Sequence, residues 1–153
     1  MLLLHPRTVQ VNIHQWLCVY KIFSLTGEGL YARRDIPSES LVCLFSGSRK
    51  RHFRNDDWDW SDYCIKLDEN CSIDIPDHYI PVKHYCATLA HKACHSFTPN
   101  SRFDQVYHPR FGKIMAIFAN MDIRKDEEIF VSYNYTIALA PVWYQQVWLT
   151  HLR

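Results

Sequence analysis

At 153 residues, 48% hydrophobic and 22% charged, the chain has the size and composition of one globular domain with a real core, and disorder is excluded. A net charge of +1 supplies no broad field for nucleic acid, so direct nucleic-acid binding is not expected. The apolar run at residues 1–4 is stopped by His5, Pro6 and Arg7, too early for a secretory signal, and no stretch approaches the roughly 18 apolar residues of a membrane span.

Short β-like runs dominate the chain. The first covers residues 15–22. It leads into Thr26-Gly27-Glu28-Gly29-Leu30, a turn holding two of only four glycines, where a ligand can come close to the backbone. Residues 41–45 form the next strand. Arg49-Lys50-Arg51 reads as a solvated loop, and Asp56-Asp57-Trp58-Asp59-Trp60 as an acidic, aromatic loop able to attract a basic peptide. Strands follow over 63–67 and 71–75, each rich in Ile, Leu, Tyr or Cys and bounded by Asp, Asn or Pro. Residues 82–92 predict a short helix. Residues 103–108, 113–118 and 128–133 complete the strands. Residues 141–152 predict a C-terminal helix packed on the sheet: Pro141 suits a first turn, and Trp143 with Val147, like Tyr144 with Trp148, share a face. This pattern of many short strands and few helices is that of a mainly β domain.

Six cysteines carry no C-x-x-C pair, which favours buried free thiols over disulfides or metal. Cys86, His91, Cys94 and His95 include four metal-ligating side chains, but their spacing matches no common zinc module, so no metal is expected. Cys94 and His95, as chain neighbours, tend to point apart and make a poor nucleophile–base pair. The high aromatic content, 14%, suits either a large core or an aromatic-lined channel.

Several segments occur together and in order: Gly27-Glu28-Gly29-Leu30; Leu67-Asp68-Glu69 running on to Ile73-Asp74-Ile75-Pro76; Lys83-His84-Tyr85-Cys86-Ala87; His91-Lys92-Ala93-Cys94-His95-Ser96-Phe97-Thr98-Pro99-Asn100; His108-Pro109-Arg110-Phe111-Gly112; and Asp126-Glu127-Glu128-Ile129-Phe130-Val131-Ser132-Tyr133-Asn134-Tyr135. The series resembles the SET domain of protein-lysine methyltransferases over residues 19–149. It is most similar to the histone lysine methyltransferase that carries MORN repeats ahead of its SET domain; the repeats, and the cysteine-rich zinc segment that follows many SET domains, are missing. The resemblance implies a fold of several small sheets with a C-terminal pseudoknot, in which the segment ending at Tyr133 is threaded beneath the loop before His95. It implies a lead-in over 1–18, the SET domain over 19–136 and a helical segment over 137–153 packed on it.

The resemblance also implies S-adenosyl-L-methionine as methyl donor, a protein substrate such as a histone tail, nuclear residence and a monomer. Thr26, Gly27 and Glu28 match the cofactor turn, Lys92, Cys94 and His95 the second cofactor contact, and Trp143 the aromatic against adenine. Tyr133 matches the catalytic tyrosine, and Phe45, Phe103 and Tyr135 the walls of the lysine channel. There are departures. Phe45 and Phe103 stand where the relative has tyrosines, Cys94 replaces an asparagine, and Val147 stands where a carboxylate helps hold the cofactor. Three lost hydrogen bonds at about 0.5–1.5 kcal/mol each weaken such a site without abolishing it. Three readings therefore stay open: a working methyltransferase, able to add more than one methyl group because Phe45 and Phe103 lack hydroxyls; a SET-fold pseudoenzyme that binds protein partners; and, least favoured by ligand spacing, a zinc-binding structural module.

Overall fold

The computed structural model describes residues 19–23, 27–51, 62–81, 83–84 and 88–151. The acidic, aromatic loop over 56–60, Thr26, Cys86 and the first half of the first predicted strand, residues 15–18, lie outside them. The described residues form small sheets and one short helix, the mainly β architecture expected.

β1 (Val19–Phe23) and β2 (Gly27–Tyr31) form an antiparallel pair in which Phe23 lies opposite Gly27 and Val19 opposite Tyr31. The glycine-rich segment expected as a turn thus continues into a strand. β3 (Leu41–Phe45), β8 (Ser101–His108) and β9 (Gly112–Ala119) make a three-stranded antiparallel sheet with β9 in the middle. The β8–β9 turn needs Gly112, at φ +67°, and His108 caps it by accepting the N–H groups of Arg110 and Phe111 on Nδ1 at 3.1 and 3.3 Å. β4 (Ser48–Arg51), β5 (Cys64–Asp68) and β6 (Cys71–Asp74) make a second antiparallel sheet, with β6 central. Arg49, Lys50 and Arg51 are therefore not a loop. They form an exposed edge strand, whose charges discourage further pairing.

Two expectations are corrected. The helix over 82–92 reduces, among the described residues, to a 3₁₀ turn at Ala90–Lys92, following Leu89. The strand over 128–133 contracts to β10 (Phe130–Val131). Asn134 sits at φ +51°, a left-handed value that asparagine tolerates, and its side-chain oxygen Oδ1 accepts the Ser132 hydroxyl at 2.9 Å; this local geometry ends the extended run.

β10 pairs in parallel with β7 (Cys94–His95), Phe130 opposite Cys94 and Val131 opposite His95. Asn100 locks this crossing of two chain segments distant in sequence. Its amide donates to the Glu128 carbonyl at 2.7 Å, and its side-chain oxygen accepts the Phe130 N–H at 2.9 Å. The core gathers Leu30, Val42, Leu67, Ile75, Ile117, Ile129 and Val131, all essentially buried, so β10 is both the last strand to arrive and a wall of the interior.

α1 (Val142–His151) packs on β7 and the residues after it. Tyr144 and Trp148 pack on the His95–Phe97 segment: ring centroids are 4.6 Å apart for Tyr144 and His95, and 5.1 Å for Trp148 and Phe97. Trp143 and Val147, the other face, are each 47% exposed.

Candidate functional site

β2, the Ala90–Lys92 turn, β7 and the residues after β10 meet at one place. Lys92 is 4% exposed, and its ammonium forms an ion pair with the Glu28 carboxylate. A buried ammonium needs such a partner. The same Glu28 is engaged through its backbone: the Cys94 thiol lies 3.7 Å from the Glu28 carbonyl oxygen and 3.8 Å from that of Lys92. Residues expected in two separate cofactor contacts, Glu28 in one and Lys92 with Cys94 in the other, are thus one cluster, in which Lys92 meets the Glu28 side chain and Cys94 its backbone. Burial first, and then the Glu128 carboxylate beside it, push the Cys94 thiol up to about 11. It is a protonated hydrogen-bond donor at neutral pH, not a nucleophile.

Gly29 has a different reason than the one expected. A Cβ there would come within 2.7 Å of the Glu128 carboxylate and 3.0 Å of the Tyr31 ring. The second glycine of the turn makes room for a side chain of the protein itself.

Tyr133 stands next to this cluster. Its hydroxyl donates to the Ala93 carbonyl at 2.9 Å, and its N–H donates to His95 Nδ1 at 3.2 Å. Burial raises the phenol well above its ordinary value, and the neighbouring Cys94, Tyr135 and Tyr63 reinforce the shift. Tyr133 is therefore neutral at physiological pH, with its proton committed to Ala93 and its oxygen lone pairs free to face elsewhere. Tyr135 meets it edge-on at 5.8 Å, and Trp143 at 6.4 Å. Trp143 lies 6.4 Å from His95, so one face of the indole borders the cluster while much of the ring is open.

Phe45 and Phe103 come together as an edge-to-face pair at 6.1 Å. Phe45 belongs to the buried core, against which Phe103 and Tyr133 both pack. A separate cavity of about 390 Å³ opens beyond Phe45, with Ile73, Ile75, Tyr79, Phe111 and Ile114 in its lining; none of Tyr133, His95, Glu28 and Lys92 lines it.

The sequence reading missed Tyr63. It appeared there only as the start of a strand, and a lone tyrosine before a β run carries no signal. In the fold its ring lies under the Lys92 ammonium, 5.3 Å from the centroid, and meets His91 edge-on at 6.0 Å. Burial raises its phenol, with Glu28, Asp62 and Cys94 adding to the effect.

His95 accepts the Tyr133 N–H on Nδ1, so its proton sits on Nε2, which is buried with no hydrogen-bond partner among the described residues. Burial lowers the proton affinity of both His95 and His91, with Lys92 adding to the effect at His91. The sign follows. Both rings are neutral in the fold, and the unfolded chain takes up protons first as pH falls through about 6.5. Stability from these residues is complete above that value and is lost below it. Thermal unfolding should show a midpoint that is flat from neutral pH upward and declines on acidification; a midpoint unchanged down to about pH 5.5 refutes this.

The family comparison agrees with this convergence: the SET domain model matches residues 27–134. The chain belongs to the SET-domain family. Histone-lysine N-methyltransferase SETD7 of Halocynthia roretzi is 36% identical to it over 129 residues, 78% of this chain and 33% of that protein. This chain thus spans about a third of that relative's length. Among solved structures, a candidate histone methyltransferase of Plasmodium falciparum superposes with a TM-score of 0.55 at 17% identity, covering 80% of this chain and 96% of that one. KRYPTONITE, solved with mCHH DNA, an H3 peptide and SAH, gives a TM-score of 0.59 at 20% identity, covering 80% of this chain and 24% of that one. At these identities the two structures support the SET-domain fold. In that fold Glu28, Lys92, Cys94, His95 and Tyr133 lie within the matched segment, while Trp143 lies beyond it on α1.

Proposed function

We propose that this SET domain is a protein-lysine N-methyltransferase that takes its methyl group from S-adenosyl-L-methionine and acts on a histone tail in the nucleus, and that its closest kin is the MORN-repeat histone lysine methyltransferase. The observation that carries the reading is the place of the Tyr133 hydroxyl: held on the Ala93 carbonyl at 2.9 Å, one residue from Cys94 and beside the Glu28–Lys92 pair. The residues fit a donor of this kind. β2 offers the Gly27–Gly29 backbone, the Glu28–Lys92 pair offers fixed charge, and Trp143 leaves part of an aromatic ring open.

S-adenosyl-L-methionine, when bound, supplies an electrophilic methyl group on sulfur. The residues of the chain do the rest. A free lysine amine, with pKa about 10.4, arrives charged and unable to attack. Phe45, Phe103 and Tyr135 line a dry approach that disfavours the ammonium. The walls also align the amine with the methyl group, which can remove about 7–11 kcal/mol of barrier at best. Tyr133, neutral and tethered, presents its oxygen to the methyl hydrogens and orients the amine. Phe45 and Phe103 place ring edges where hydroxyls would hold a lysine in one pose, so methylation proceeds past the first group.

The second reading, a protein-binding pseudoenzyme, is favoured by one feature. The Cys94 thiol is engaged by Glu28, Lys92 and Glu128 rather than replacing an asparagine amide in the donor pocket. Incubation with labelled S-adenosyl-L-methionine and histones, followed by mass spectrometry, separates the readings. Labelled di- or trimethyl-lysine is the expected result. Only monomethyl product overturns the claim of multiplicity. Absence of transfer, together with no calorimetric binding of S-adenosyl-L-methionine, leaves the pseudoenzyme.

A further inference from the structure

The cavity beyond Phe45 has no part in the methyl-transfer reading. Its volume of about 390 Å³ is within the range of small-ligand pockets. Ile73, Ile75 and Ile114 in its lining are at most 6% exposed, so its floor is dry core. Tyr79 and Phe111 are 43% and 51% exposed and leave two aromatic rings open at its border. Charge at this corner is one-sided. The lysines are neutralised, Lys50 by Asp74 and Lys113 by Asp68. The arginines are not. Arg49, in the lining, gives one guanidinium nitrogen to the carbonyls of Phe111, at 2.8 Å, and Lys113. Arg49 lies opposite Ile73 in the β4–β6 ladder, and Arg51, two residues on, shares that face. Arg110 lies over the Phe111 ring, 5.5 Å from its centroid. None of these three has a carboxylate partner among the described residues. Asp77, beside the lining residue Pro76, offsets one charge, and an excess of positive charge remains.

We propose that this corner docks an acidic, extended segment of a partner protein, with one apolar side chain in the cavity and carboxylates on Arg49, Arg51 and Arg110. Spacing points to a peptide. Arg49 and Arg51 stand two residues apart on a strand, about 6.5 Å, which is also the repeat of side chains on one face of an extended peptide. An apolar anchor with acidic residues two and four positions away therefore reaches the cavity and the arginines together. A basic histone tail is repelled here, so the partner is not the proposed substrate. None of Tyr133, His95, Glu28 and Lys92 lines the cavity, and the proposal stands independently of methyl transfer.

The test is fluorescence anisotropy on the full chain with a labelled peptide, Glu-Ser-Glu-Ser-Phe-Ser-Glu-Ser-Glu. One control peptide has lysine for every glutamate, and another has serine for the phenylalanine. At low salt the wild-type chain should bind the first peptide, and each control about tenfold more weakly or worse. Raising the salt to about 0.5 M should weaken the first peptide about tenfold. Arg51→Glu combined with Arg110→Glu changes two exposed side chains, leaves the cavity intact, and should also weaken it about tenfold. Equal binding of the lysine peptide overturns the charge reading, and equal binding of the serine peptide overturns the anchor. Unchanged affinity in the double variant overturns the placement. No binding of the first peptide up to about 1 mM ends the proposal. Should the double variant fail to fold, the three peptides on the wild-type chain decide. Calorimetry with S-adenosyl-L-methionine reports the donor site separately, so a chain that binds the peptide but no donor keeps this proposal and loses the other.

Discussion

Tyr133→Phe should lower the methyl-transfer rate by about 10²–10⁴-fold, the range for removing a positioned polar group at the reacting centre, while binding of S-adenosyl-L-methionine changes little. The reason is local. The phenol is the polar group of the aromatic cluster formed by Tyr133, Tyr135 and Trp143 that is tied to the Ala93 carbonyl, next to the Glu28–Lys92 pair. Phenylalanine keeps the ring and its packing on His95 but removes the oxygen. The Ala93 carbonyl then loses its donor, which costs about 1–3 kcal/mol, or roughly 2–12 °C in unfolding midpoint for a chain of this size. Rates measured well below that midpoint separate the two effects. A Tyr133→Phe enzyme within about threefold of wild type refutes the assignment of Tyr133 as the catalytic residue.

What the sequence disclosed follows from the kind of signal each residue carries. β3, β8, β9 and α1 were legible because runs such as Leu-Val-Cys-Leu-Phe and Lys-Ile-Met-Ala-Ile-Phe are dense in strand formers, and Trp143 to Trp148 repeats at helical spacing. β2 was hidden because two glycines in five residues read as a turn; its strand character comes from pairing with β1, not from its own side chains. β4 was hidden because Ser-Arg-Lys-Arg has no apolar face, and an edge strand needs none.

The site shows the same division. Glu28, Lys92, Cys94, His95 and Tyr133 were recognisable from motif resemblance, and the fold brings them together. Their grouping was legible only through the resemblance, which implies the threading of the Tyr133 segment beneath the loop before His95; side-chain pattern alone could not show it, because it depends on the parallel pairing of β7 with β10 across more than thirty intervening residues. Tyr63 reaches the cluster from the residue before β5, Tyr31 from the end of β2, and Glu128 from the segment leading into β10. Gly29 was read correctly as a close approach, but the approaching group is Glu128 rather than a ligand.

Breaking the Glu28–Lys92 pair should be the largest stability effect, and it should be asymmetric. Lys92 is nearly sealed, its side chain 3% exposed, whereas that of Glu28 is 30% exposed. Glu28→Gln therefore strands a buried ammonium that water cannot reach, and the cost should approach the roughly 3–5 kcal/mol typical of an orphaned buried charge. Lys92→Met leaves a carboxylate that solvent can still reach, and its long apolar side chain fills the vacated space over the Tyr63 ring; about 1–2 kcal/mol is expected, nearer the cost of one charged hydrogen bond. The double variant Glu28→Gln with Lys92→Met removes both charges together, and should recover most of the stability lost in Glu28→Gln alone, because replacing a buried pair by apolar volume is often close to neutral. Urea unfolding of the three variants gives the cycle. Equal losses in both single variants, or a double variant no better than Glu28→Gln, would mean that Lys92 is not held by Glu28 and that the cluster beneath Tyr133 is organised some other way.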